Sequence, residues 1–222
     1  MGAITDRVAR PVKIVRPLVT GAELRNAASN CILGISFFIA MIPAARALSW
    51  RLFGRANIVW LSGAAIMGIL SFVRTPPRST MVNARTIAAT AGMLFLPCFM
   101  RPVGSSSGSL ALCGVALELF GIALTQVARV YMGRSFGILP ANRGVVSKGP
   151  FSLIRHPIYF GWLVLSLGYA MSYPTARNIL LILVTVPFMV WRIEQEEDHL
   201  SEDPEYCNYE RRVRFRLWPG VI

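Results

Sequence analysis

The sequence predicts an all-α integral membrane protein with about six transmembrane helices and a cytoplasmic C-terminal helical cap. Three observations predict it. The chain is 54% hydrophobic with a mean hydropathy of +0.52 and only 15% charged residues, against about 25% charge in soluble domains. Its apolar residues fall into long runs separated by basic, Pro-rich or Gly-rich links. Beyond residue 191 the apolar character gives way to densely charged sequence. The 23 Lys and Arg outnumber the 11 Asp and Glu, a net charge of +12. In so apolar a chain that excess fits cytoplasmic loops and anionic headgroups, not nucleic acid.

The elements follow in order. Residues 1–26 form a basic N-terminal arm with Arg7, Arg10, Lys13, Arg16 and Arg25, and Pro11 and Pro17 forbid a long helix there. This polar start is no cleaved leader, so the first apolar run is a retained anchor. The first span covers about 27–45 and the second about 56–73. The link Arg74-Thr75-Pro76-Pro77-Arg78 stops the second, because consecutive prolines cannot propagate a helix. The third span, about 86–100, is short and carries Pro97; without it the count falls to five. A Gly/Ser-rich link at 101–109 reads as a flexible connector. The fourth span is about 110–130. A span needs about 20 mostly apolar residues, which leaves the third marginal. Glu118 lies near the middle of the fourth span, where an acid faces the bundle interior. It is either a substrate or proton contact or, preferably, a neutral acid bonded to Gln126 or a neighbouring helix.

Residues 131–156 form a polar loop too long for a simple connection, and such loops tend to be functional. The fifth span, about 157–171, and the sixth, about 176–191, read as a tight helical hairpin. The charged segments 192–200 and 205–216 read as short helices beyond the bilayer. The chain thus divides into a basic arm (1–26), N-terminal helices (27–130) and a catalytic part (131–222). With six spans, the arm, the 74–85 link, the 131–156 loop and the tail share one face and hold most of the Lys and Arg. Both termini are therefore expected in the cytoplasm. The four cysteines, Cys31, Cys98, Cys113 and Cys207, show no metal-ligand or disulfide-framework spacing, and no metal is expected.

Chemistry concentrates at residues 149–161, which contain His156, one of two histidines. Pro157 suits the first position of a helix, which puts His156 at the N-cap. Arg155, His156 and Tyr159 then gather at a helix N-terminus, a setting that attracts anions. An interfacial belt of Arg, His and Tyr is the plainer alternative. Two further groups reach the same face. One is the pair Glu196-Glu197, where Glu196 sits one turn past Arg192 and in position to pair with it. The other is Tyr206-x-x-Tyr209, followed by Arg211, Arg212, Arg214 and Arg216.

Together these pieces resemble the isoprenylcysteine carboxyl methyltransferase family and the broader membrane methyltransferases that include the phospholipid N-methyltransferases. The matching pieces are Gly149-Pro150-Phe151, Arg155-His156-Pro157-x-Tyr159-x-Gly161, Arg192-Ile193-x-x-Glu196-Glu197-x-x-Leu200, Tyr206-x-x-Tyr209 and an Arg-rich end closing at Pro219. They span about residues 130–220. The resemblance implies S-adenosyl-L-methionine as cofactor and a lipophilic or prenylated acceptor entering from the bilayer. It implies that His156 and Tyr159 hold the methionine part, that the backbone from Val146 through Lys148 to Gly149 holds the adenosine, and that Glu196 or Glu197 binds ribose hydroxyls or the amino group. Arg155, Tyr206 and Tyr209 complete the implied cofactor set. It also implies a multi-pass protein of a bacterial inner membrane or the endoplasmic reticulum. Phe151 stands where the family commonly has Tyr, and the N-terminal half matches no single branch, so the acceptor does not carry over.

Methyl transfer from a sulfonium is an in-line displacement with a good leaving group, so an enzyme must mainly align the partners and exclude water. A carboxylate acceptor is already ionised and needs neither a strong base nor a metal. A cation to position it is useful, and Arg134, Arg155 and Arg192 are the candidates. An amine or thiol acceptor, by contrast, calls for a base. A different chemistry on a similar scaffold is NADPH-dependent sterol or enone reduction. Those reductases typically carry Asn where this chain has Pro157, and they lack reason for the Glu196-Glu197 pair.

Overall fold

The structure is a computed structural model that describes residues 26–35, 38 and 54–218, with 54–62 and 64 by backbone alone. The basic arm, most of the first span and its link lie outside the described residues, as does Pro219. The described helices are α1 (26–35), α2 (Gly54–Val73), α3 (Ala84–Phe95), α4 (Gly108–Met132), α5 (Pro157–Ser172), α6 (Ala176–Leu200) and α7 (Pro204–Arg212). Two of them, Gly108–Ser135 with its trailing turn and Ala176–Leu200, are long and apolar enough to cross a membrane.

Helix boundaries follow local chemistry. Asn83 caps α3 by accepting from Thr86 N at 2.8 Å, and Pro97 tightens its end into a 3₁₀ turn, Leu96–Phe99. Thr175 caps α6 and Asp203 caps α7, each accepting from a first-turn amide. Pro157 opens α5 with His156 as the preceding residue, as the sequence predicts. The charged segment 192–200 is no separate helix. It continues α6, which runs unbroken through Pro187 to Leu200, because Arg192 and Glu197 are drawn inward by partners described below.

α4 and α5 make the most intimate contact in the fold. A Cβ on Gly168 would lie 2.6 Å from the Gly114 carbonyl, and one on Gly161 would lie 2.8 Å from the Gly121 carbonyl. Only glycine lets the two backbones approach so closely, which is the usual device of helix pairs that lack a hydrophobic drive to associate. The outer faces are apolar instead: Leu112, Phe120 and Val130 are exposed on α4, as are Leu180 and Leu183 on α6. Glu118 accepts from the Ser172 hydroxyl at 2.5 Å across the α4–α5 contact. A bond to a neighbouring helix is the reading preferred for it above. Gln126 instead accepts from Arg129 at 2.9 Å.

The α6 backbone lies close to α3 and farther from α5. The α5–α6 hairpin expected from the short turn is present but not tight: the backbones approach most closely within two other pairs, α4–α5 and α3–α6. The small residues of α5 face α4, and its larger Tyr159, Trp162 and Leu163 pack with Met189 and Ile193 of α6. The 101–109 link is likewise tied down. Asn178, fully buried at the start of α6, accepts from Arg101 N at 3.0 Å and donates to Arg101 O at 2.9 Å.

The fold is not purely helical. Strands β1 (Ser79–Thr80) and β2 (Ala141–Asn142) pair antiparallel, Ser79 opposite Asn142. Bonds from Thr75 N to Arg134 O (2.8 Å) and from Met81 N to Pro140 O (3.1 Å) extend the seam. It fastens the 131–156 loop to the link after α2. Two-residue strands carry no pattern that a sequence reading can detect.

Candidate functional site

The end of α5 that begins at Pro157 meets the last turns of α6, helix α7 and the chain after it. Main-chain bonds bring them together: Arg155 N donates to Phe215 O and His156 N to Arg216 O, both at 2.9 Å. Arg155, His156, Arg192, Glu197, Tyr159, Tyr206 and Tyr209 are all buried here.

Glu197 is the hub. Its Oε1 lies 3.0 Å from His156 Nε2 and 3.1 Å from an Arg155 guanidinium nitrogen, and its Oε2 lies 2.6 Å from Arg216 Nε. The carboxylate so placed is paired by two guanidiniums and the imidazole edge, which is how its buried charge is tolerated. Arg155 also pairs with Glu210 and donates to Arg214 O at 3.2 Å.

A second chain of bonds runs beside it. Arg192 Nε donates to the Tyr159 hydroxyl at 2.8 Å, and that hydroxyl donates to Glu196 Oε2 at 2.8 Å. Arg192 also donates to Thr90 Oγ1 on α3 and to the Ile138 carbonyl. Arg192 and Glu196 thus do not pair directly as the helical spacing suggests; Tyr159 stands between them. His156 caps nothing with its side chain; its ring turns to Glu197 and lies 5.5 Å from the Tyr159 ring.

Tyr206 and Tyr209 form the far wall, ring centroids 5.7 Å apart, packed with Val213, Val145 and Leu200. Burial pushes both phenols above their ordinary range, and the Glu197 charge adds to it in each case. Both hydroxyls stay protonated at physiological pH. Their bonding differs sharply. The Tyr209 hydroxyl donates to Phe151 O at 2.8 Å, whereas the Tyr206 hydroxyl is buried with no hydrogen-bond partner. Native structures seldom leave such a group unpaired.

The loop from Asn142 to Lys148 flanks this wall. Gly144 N donates to Asn142 Oδ1 at 3.0 Å. No main-chain hydrogen bond engages the amides of Val145, Val146 and Ser147 among the described residues. Gly149 has φ +61, and a Cβ there would lie 2.6 Å from the Tyr131 ring, so the position demands glycine twice over. Lys148 is exposed beside it. At the loop's base Asn142 Nδ2 donates to Asp203 Oδ2 at 2.7 Å. That bond and the Glu205 amide hold the Asp203 carboxyl below its usual range.

The structure therefore brings Arg155, His156, Tyr159, Arg192, Glu196, Glu197, Tyr206 and Tyr209 together, with Val146, Lys148 and Gly149 on the adjoining loop. Arg134 lies apart: it is exposed and donates to Val73 O at 2.9 Å at the end of α2. Sequence reasoning missed Glu210, Thr90 and the Ile138 carbonyl. Glu210 lies one turn from Tyr206 on the same short helix, the one signal that pointed to it. Among the described residues no group of three His, Cys, Asp or Glu side chains is arranged to hold a metal.

Comparison with known proteins bears on the same segment. Residues 105–203 match the phospholipid methyltransferase family profile. That stretch contains Arg155 through Glu197 and so supports the resemblance read from the motifs. The chain is also 29% identical over 108 residues to Protein-S-isoprenylcysteine O-methyltransferase B of Arabidopsis thaliana. The matched stretch is 45% of this chain and spans about half, 55%, of that relative's length.

Proposed function

We propose that this chain is a multi-pass integral membrane methyltransferase that uses S-adenosyl-L-methionine and acts on the carboxylate of a lipophilic acceptor. The methyltransferase family match and the similarity to an isoprenylcysteine O-methyltransferase support the reaction class. The observation that carries the site is the buried Tyr206 hydroxyl left without a partner next to Glu197. It is an unfilled hydrogen-bonding position in a cluster that also leaves Arg155 Nε without a partner.

The residues present fit the cofactor's polar groups. Its carboxylate suits the cationic side formed by Arg155 and His156, and its amino group and ribose hydroxyls suit Glu196, Glu197 and Tyr206. The unpaired amides of Val145 to Ser147 offer donors to the adenosine. When bound, S-adenosyl-L-methionine supplies an electrophilic methyl group on a positively charged sulfur.

The chain's own contribution is positioning. Tyr159 is held from both sides by Arg192 and Glu196, so its ring cannot turn freely. Tyr206, Tyr209 and Val213 exclude water from one side. Arg192 is the cation best placed to steer an acceptor carboxylate, because it is buried and anchored to α3, α5 and the long loop at once. An ionised carboxylate needs no general base, and none is assigned. Six spans with both termini cytoplasmic, and a helical cap formed by α7 and the tail, complete the reading.

The test is direct. Protein purified in detergent is incubated with donor labelled in the methyl group and a lipid extract, and the label is sorted by its release under mild base. Base-labile label is expected, as for a methyl ester. Base-stable label moves the acceptor to an amine or thiol. Failure to bind S-adenosylhomocysteine, together with a thermal shift by NADPH, overturns the reading in favour of a reductase.

A further inference from the structure

The chain after α7 folds back across the start of α5 as a strap. The Phe215 and Arg216 carbonyls accept from the amides of Arg155 and His156, both at 2.9 Å. The Trp218 ring meets Phe160 edge-on, centroids 5.1 Å apart, and Leu217 packs against the cluster of Tyr159, Met189 and Ile193. Residues 215–218 are thus tied down in succession, and they carry the Arg216 side chain to Glu197.

Glu197 meets its cations unequally. Its Oε1 lies 3.0 Å from His156 Nε2 and 3.1 Å from the Arg155 guanidinium, and both of those residues are buried. Among the described residues its Oε2 has one cation within ion-pair distance, Arg216 Nε at 2.6 Å. That contact is close without being a hydrogen bond: both atoms are buried, and neither has a hydrogen-bond partner. The Tyr206 hydroxyl beside Glu197 is left open as well. Oε1 is therefore held by buried parts of the fold, while Oε2 holds a cation that fits it poorly. The Arg216 side chain is 41% exposed, so it has water to return to. Its Nε offers one N–H in a fixed direction, whereas an ammonium offers three donors that rotate and can serve a carboxylate oxygen and a neighbouring phenol together.

We propose that Arg216 is a placeholder for the ammonium of the methyl donor and sets the site's preference for ligands that carry one. This rests on the methyltransferase reading above. In the ligand-free protein Arg216 neutralises Glu197 Oε2. An incoming ammonium takes over that oxygen and reaches the Tyr206 hydroxyl. Arg216 swings out to solvent while the strap's main chain stays bonded. A ligand without a cation has nothing to exchange for Arg216 and leaves it in place.

The experiment measures, by calorimetry on the full chain in neutral detergent, the binding of three probes. They are S-adenosylhomocysteine; S-adenosyl-3-thiopropylamine, which keeps the ammonium but lacks the carboxylate; and methylthioadenosine, which lacks both. The strap's main-chain bonds do not involve the substituted side chain, so Arg216→Gln keeps the fold. It should bind the first two probes about two- to fivefold more tightly, the worth of one half-exposed ion pair, and methylthioadenosine as before. Arg211→Gln removes the same charge from an exposed position on the same tail and should leave all three unchanged. Unchanged S-adenosylhomocysteine binding in Arg216→Gln overturns the proposal. Weaker binding does too, and assigns Arg216 to the ligand's carboxylate. An equal gain for methylthioadenosine overturns it by making Arg216 a steric cover, and an equal gain in Arg211→Gln by making the effect one of net charge. Absence of S-adenosylhomocysteine binding in wild type and Arg216→Gln alike overturns the methyltransferase reading, and the placeholder with it.

Discussion

Tyr206 and Tyr209 sit one turn apart on α7, equally buried, and removing each hydroxyl should have opposite effects. The Tyr206 hydroxyl has no partner. A buried, unpaired hydroxyl costs about 1–3 kcal/mol. Tyr206→Phe removes that cost and keeps the ring contacts with Tyr209 and Val213. It should raise the stability of the ligand-free protein by about 1 kcal/mol, the low end, since local relaxation recovers part of the penalty in the wild type. For a chain of this size that is about 2–4 °C in melting temperature. Tyr209→Phe instead strips the Phe151 carbonyl of its donor at 2.8 Å and should cost about 1–2 kcal/mol. The ligand response separates them further. If the Tyr206 hydroxyl is a cofactor contact, Tyr206→Phe loses one hydrogen bond of about 0.5–1.5 kcal/mol, a roughly two- to tenfold rise in the dissociation constant of S-adenosylhomocysteine. Melting curves with and without S-adenosylhomocysteine measure both quantities on one sample. A Tyr206→Phe protein that melts several degrees lower and binds the ligand as well as the wild type refutes the reasoning, because the hydroxyl must then have a structural partner.

Other substitutions test the remaining arrangement. Glu197→Gln leaves Arg155, His156 and Arg216 facing a neutral amide; because Arg155 keeps Glu210 and Arg216 is 41% exposed, the cost should be about 2–3 kcal/mol, below the usual range for a broken buried pair, read by melting temperature. Gly161→Val pushes a side chain into the Gly121 carbonyl and should destabilise by about 1–3 kcal/mol, while Leu112→Val, at a position 74% exposed, should leave melting unchanged. Asp203 has a carboxyl held below its usual range, so its contribution is complete above the unfolded value of about 3.9 and fades as pH falls through the lower folded value. Asp203→Asn still caps α7 and should flatten the fall of melting temperature in that acid window; an unchanged profile removes the role given to its charge.

The polar cluster was largely legible in the sequence, and for a physical reason. Pro157 fixes where α5 begins, so Arg155, His156 and Tyr159 are placed by local rules. Glu196 and Glu197 lie at a helical phase that the sequence also sets. What the sequence could not show is which way long side chains turn. Arg192 has an acid at i+4 but reaches across to Tyr159, Thr90 and Ile138, partners distant in sequence and set only by packing. The same holds for Glu210 on Arg155. Helix pairing was hidden too. The turn between α5 and α6 is short, yet the glycines at 114, 121, 161 and 168 decide which surfaces can approach, and they join α5 to α4. The run after Trp191 looked like a boundary because its polarity changes, but polarity marks environment, not helix ends; no residue there breaks the helix.

That division of helices gives the cluster a mechanical meaning. His156 and Tyr159 ride on the α4–α5 pair, while Arg192, Glu196 and Glu197 ride on the α3–α6 pair. Tyr159, Trp162 and Leu163 of α5 pack with Met189 and Ile193 of α6, so the bonds from His156 to Glu197 and from Tyr159 to Glu196 and Arg192 act as a polar clasp beside the apolar contact that joins the two pairs. Any ligand that takes one of those groups for itself undoes part of the clasp as it binds. The apolar packing of Tyr159, Trp162 and Leu163 on Met189 and Ile193 is then what still holds the two pairs together.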